Sequence, residues 1–127
     1  MRPDMIPLII MGVLLTKHFV FDFVAQSDWQ LRHKGRYGHP GGIVHAAAHA
    51  GGSVAAVLVA RPALEVGLMV LIGEAVFHYH VDWTRAWILK RTAWGTTDNR
   101  FWELLGADQL VHGLTYVVMT AALLARF

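Results

Sequence analysis

His18 and Asp22, His45 and His49, Glu74, His78 and Asp82, and Asp108 and His112 recur at four-residue spacing inside stretches that are otherwise largely apolar. On an α-helix such a step climbs about one turn and rotates by only about 40°. Each stretch therefore carries a single polar stripe. Imidazole nitrogens and carboxylate oxygens are ligands for divalent transition metals, and the chain has no cysteine to supply a thiolate. Four carboxylates among five neutral imidazoles carry a formal charge of minus four. Two divalent cations would neutralise it, and donors in excess of four favour two ions over one closed tetrahedral zinc. Zinc, manganese and iron all suit these donors.

Metals held this way would polarise a bound oxygen and generate hydroxide, with Glu74 or Asp108 moving protons as the catalytic carboxylate. Two alternatives use the same residues without a dinuclear site. One is a hydrogen-bonded network of protonated histidines and carboxylates, either structural or relaying protons or ions. The other is haem held by two of the histidines, which leaves the aspartates without a role. No nucleophile is indicated, since Ser53 lies one turn below His49 with no partner of its own.

These stripes need elements to hold them. The chain is 55% hydrophobic and 16% charged with a mean hydropathy of +0.42, and its 127 residues suffice for one domain, 1–127. A hydrocarbon core about 30 Å thick takes roughly 20 apolar residues per helix. Met5 to Gln26, Ile43 to Ala60, Ala63 to Asp82 and Leu104 to Ala125 qualify. The fold expected is an all-α four-helix transmembrane bundle. The third helix extends along the interface, breaks at Gly95 and restarts with Thr97 or Asp98 as N-cap. Arg61-Pro62 makes a tight turn with proline opening the next helix, and "SDWQLRHKGRYGHPGG" reads as a loop. The alternatives are a soluble all-α domain and a cleaved signal peptide. Asp4 and the lack of a small residue at Phe23 speak against cleavage.

Four spans put both termini on one side. The two long loops carry Arg32, Lys34, Arg36, Arg85, Lys90, Arg91 and Arg100, against Arg2, Arg61 and Arg126 opposite. Seven against three places the long loops in the cytoplasm and the termini in the periplasm. All five tryptophans lie on the loop side, as an aromatic belt requires. Alternating helix direction then levels the stripes. Asp22, His45, Asp82 and Asp108 form a shallow layer, with His18, His49, His78 and His112 about 6 Å deeper and Glu74 a further turn down. Charge at such depth costs about 2.5 to 3.5 kcal/mol per residue at mid-membrane, so the residues must converge. Ala46, Ala47, Ala48, Ala50, Gly51, Gly52 and Ser53 let the helix backbones approach.

"HFVFDFVAQSDW", "HAAAHA", "FHYHVDWTR" and "ADQLVH" resemble the motifs of a family of small bacterial and phage integral membrane proteins of unknown function. The resemblance covers nearly the whole chain. It implies a bacterial inner-membrane location and adds Gln26 and Gln109 to His18, Asp22, His45, His49, His78, Asp82, Asp108 and His112 as the family's polar positions. Two functions follow from the residues. One is a membrane-embedded metal-dependent hydrolase acting on a lipid or other membrane-associated substrate. The other is a non-enzymatic transport or accessory subunit whose Trp-rich third loop docks a membrane protein. Arg32, Lys34, Arg36, Lys90 and Arg91 set topology and meet anionic lipid headgroups. A net charge of +2 is too small to argue for nucleic acid.

Overall fold

The computed structural model describes residues 2–125, which are mostly helical with no strand among them. The helices are α1 (Ile6–Phe19), α2 (Asp28–His33), α3 (Pro40–Ala60), α4 (Leu64–Thr92) and α5 (Asn99–Leu124). A π-helical turn, Val20–Val24, prolongs α1. Four segments are long and apolar enough to cross a membrane: Ile6–Val24, Pro40–Ala60, Leu64–Thr92 and Asn99–Leu124. Around the bundle α1 packs on α3, α3 on α4, α4 on α5, and α5 returns to α1. The short α2 lies against α3.

Local chemistry explains where the elements depart from the sequence reading. The segment after Gln26 is not all loop, because Ser27 and Gln30 form a reciprocal capping box that starts α2. Helix α3 begins at Pro40, three residues early, with proline at its first position and the His39 ring accepting from the Gly41 N–H at 3.0 Å. Partial desolvation, then the neighbouring His33 and Arg36, lower the pKa of His39. A neutral ring can accept that bond. Pro62 sits in the turn rather than opening α4, because Arg61 takes the left-handed conformation and Ala63 is the N-cap. Helix α4 runs unbroken to Thr92 and ends on left-handed Ala93, two residues before Gly95. Its 29 residues measure about 43 Å, so one end must project from a hydrocarbon core of about 30 Å. Asp98 is the N-cap of α5.

The bundle is apolar outside and polar inside. Leu8, Leu58, Leu64 and Val118 are each more than three-fifths exposed, while His45, His49, His78, His112, Glu74 and Asp82 are buried. A surface this apolar suits lipid rather than water, against the soluble alternative. The interior also divides along its length. Ile10, Leu14, Ala56, Met119 and Leu123 form an apolar core at the end bearing the termini, with Tyr116 at its upper edge. The ionisable residues fill the other end.

Candidate metal centre

The four stripes meet. Along the deep layer the rings of His49 and His78 lie 3.8 Å apart between centroids, those of His78 and His112 4.2 Å, and those of His18 and His112 5.0 Å. Asp22, carried by the π-turn, is the hub of the shallow layer. Its Oδ1 lies 3.0 Å from His45 Nε2, 3.1 Å from His49 Nε2 and 4.0 Å from His78 Nε2, and its Oδ2 lies 3.2 Å from His18 Nε2. Opposite, Asp82 Oδ2 lies 3.1 Å from His45 Nε2 and 3.5 Å from His78 Nε2, and its Oδ1 lies 3.3 Å from His112 Nε2. Asp108 is more loosely held: its Oδ2 accepts from Gln109 Nε2 at 3.0 Å, while its Oδ1 lies 3.8 Å from His112 Nε2 without a hydrogen bond.

The π-turn closes on an Ala25 N–H donating to Val20 O at 2.7 Å. Such wide turns recur at functional sites because they redirect a side chain without ending the helix. No four-residue pattern announces one.

The donor set fits a cation. His45 Nε2 has Asp22 Oδ1 at 3.0 Å, Asp82 Oδ2 at 3.1 Å, Gln26 Nε2 at 3.1 Å and His78 Nε2 at 3.4 Å. An imidazole nitrogen offers one proton or one lone pair, so it can satisfy only one of these neighbours. The lone pairs of Asp22, Asp82 and His78 crowded about this nitrogen are what a metal ion organises, whereas the Gln26 amide nitrogen beside them is a donor and not a ligand. Three overlapping groups have donor atoms within 4.8 Å of one another and could hold an ion: Asp22, His45, His49 and His78; His18, His78 and His112; and Asp82, Asp108 and His112. His78 Nδ1 and Asp108 Oδ1 are buried with no hydrogen-bond partner.

Two lysines that the stripes did not include enter the site. Lys17 is buried, pairs with Glu74, and donates to the His49 carbonyl at 3.1 Å. Lys34 is buried too, with Nζ 3.3 Å from Asp82 Oδ2 and 3.5 Å from Gln26 Oε1. It is therefore not a solvated loop cation. The two ammoniums reduce the formal charge of the four carboxylates from minus four to minus two. With the histidines neutral, one divalent cation would balance the charge that remains.

Tyr116 and Gln109 complete the wall around His18, with Tyr116 Oη 2.8 Å from Nδ1 and Gln109 Oε1 2.9 Å from Nε2. Tyr116 continues the spacing of Asp108 and His112 and could have been read from it. Lys17 stands beside His18 rather than on its stripe, and a lysine near a span end ordinarily snorkels to the interface.

Close backbone approach holds these pieces together. A Cβ on Gly52 would lie 2.6 Å from Phe21 Cε2, and one on Gly42 would lie 3.0 Å from Tyr79 Cε2 and 3.3 Å from Lys34 Cα. Gly51 has nothing within 4 Å and Ala47 is exposed, so the small-residue run serves packing on one face only.

A model of a protein family of unknown function, DUF3307, matches residues 10–126. The chain belongs to this family. The family assigns no reaction to the site. No curated protein and no solved structure matches the chain.

Proposed function

We propose that this DUF3307 member is an integral membrane protein of the bacterial inner membrane that holds one divalent transition metal between its four helices. The whole chain acts as a single four-span domain. Asp22, His45, His49 and His78 are the primary ligands, with His18, Asp82, Asp108 and His112 around them. The observation that carries this reading is the crowding at His45 Nε2, which hydrogen bonding cannot satisfy and ligation can. The basic surplus of the long loops puts the site near the cytoplasmic face.

The use we propose for the metal is hydrolysis of a lipid or another membrane-associated substrate. A divalent cation supplies Lewis acidity at such a site. The chain's own residues supply the rest. Gln26 and Gln109 orient His45 and His18, Lys34 holds Asp82, and Asp108, with an oxygen free of any hydrogen bond, carries the proton. Glu74, the other carboxylate suited to proton transfer, is engaged by Lys17 and anchors the floor of the site.

A non-enzymatic ion or proton carrier is the second reading, favoured by the polar line from Asp22 through His49 and Lys17 to Glu74. Below Glu74 that line meets Ile10, Leu14, Ala56, Met119 and Leu123. Such a plug opposes conduction.

Elemental analysis of protein purified without chelator tests the metal, and turnover of phospholipid and acyl-ester substrates before and after chelation tests its use. About one ion per chain, and turnover lost on chelation and restored by metal, are the outcomes expected. A stable metal-free chain unaffected by added zinc, manganese or iron would remove the reading.

A further inference from the structure

We infer that the groove between α4 and α5 binds an anionic phospholipid from the leaflet on the long-loop side, with the lipid phosphate on Arg85. Two stretches of one trough make up the groove. The upper, of about 390 Å³, is lined by Phe77, Val81, Ile88, Leu104 and Val111 together with Arg85 and Asp108. The lower, of about 540 Å³, continues it past the shared Phe77 and Val111 to Gly73, Leu114 and Val118. From Arg85 down to Gly73 the helix descends about 18 Å, slightly more than half of a hydrocarbon core of about 30 Å. The trough therefore matches an acyl chain entering from one leaflet.

Charge fixes which lipid. Arg85 is the cation of the groove lining, and its Nε is buried without a hydrogen-bond partner. Among the described residues its guanidinium joins no ion pair. It stands between Trp83 and Trp87, at the level where tryptophans meet headgroups. A planar guanidinium there is suited to a bidentate grip on a phosphate. Arg85 also lies about one turn outward of Asp82, which keeps the phosphate clear of that carboxylate while bringing its ester linkages toward Asp108, the carboxylate that shares the groove lining with Arg85. A zwitterionic lipid carries its own ammonium to its phosphate and gains less from the same contact. This site stands on the groove and Arg85 alone, whether or not a metal is bound.

Native mass spectrometry of the detergent-purified chain, offered equimolar phosphatidylglycerol and phosphatidylcholine, tests it. One phosphatidylglycerol per chain should be retained in preference. Arg85→Gln should weaken that retention about tenfold, the scale of a hydrogen bond to a charged group. Ala107→Phe should weaken it with Arg85 still present, because Ala107 lines the groove and is exposed. Arg2→Gln, exposed at the opposite end of the bundle and outside the groove, should change nothing. Metal content measured on the same samples should not move with Arg85→Gln, which separates loss of lipid from loss of the metal site. Equal retention of both lipids would overturn the inference, as would wild-type retention by both groove variants. A stable dimer excluding lipid from the groove would assign it to a second copy instead.

Discussion

Lys34 ends the short helix α2 and sets its ammonium 3.3 Å from Asp82 Oδ2, inside the bundle rather than in water. The segment between the first two spans is thereby part of the site. Its capping box starts α2, α2 aims Lys34, and Gly42 leaves room for the Lys34 backbone against α3.

Removing that ammonium should be costly. Lys34→Ala leaves Asp82 buried without its cation, and breaking such a pair destabilises by about 3 kcal/mol or more. A clear fall in melting temperature in detergent is expected, whereas Arg32→Ala should leave it nearly unchanged, because an exposed cation contributes little. Equal melting temperatures for both variants would place Lys34 back in the solvent.

Lys17 and Glu74 form a pair that can be exchanged as a unit. Lys17→Met and Glu74→Gln should each destabilise, since each strands a buried charge, and the double variant should recover most of the loss. The double variant should also keep its metal. Loss of metal there would make Glu74 a ligand rather than an anchor.

His49→Ala and His78→Ala remove ligands on different helices of one group. Each alone should abolish most of the stability gained from added metal, and the double variant should lose little more, because one shared ion can be lost only once. Asp22→Asn should match them, as Asp22 faces His18, His45 and His49. Additive losses would mean separate polar contacts without a common ion.

Packing gives a test that needs no metal. Gly52→Val should force α1 from α3 and cost about 1 to 3 kcal/mol by overpacking. Gly51→Ala meets open space and should be neutral or slightly stabilising through helix propensity. Thermal unfolding of both distinguishes a tight α1–α3 contact from a loose one.

The residues of the site were more legible than its geometry. Four-residue spacing reports which face a side chain takes, and His18, His45, His49, His78 and His112 do turn inward together. Spacing cannot report a π-turn at Asp22, because the wider turn is a tertiary choice between equally apolar backbones. Nor can it separate a lysine that snorkels from one that folds inward, since both occupy span ends. Lys17 and Lys34 were therefore invisible as site members, and the charge of the cluster was overcounted. The helices themselves were legible from their length and hydropathy. Their ends were not, because Ser27 with Gln30, Pro40 after His39 and Ala93 act through local caps that hydropathy does not register.

X-ray absorption spectroscopy on protein purified without chelator tests the metal centre most directly. The spectrum should show a transition-metal edge at about one ion per chain, with a first shell of nitrogen and oxygen at about 2.0 to 2.2 Å, outer-shell scattering from several imidazoles and no sulfur. Asp22→Asn should diminish that signal. A wild-type chain, folded and stable, that shows no edge before or after exposure to zinc, manganese or iron would contradict the metal centre.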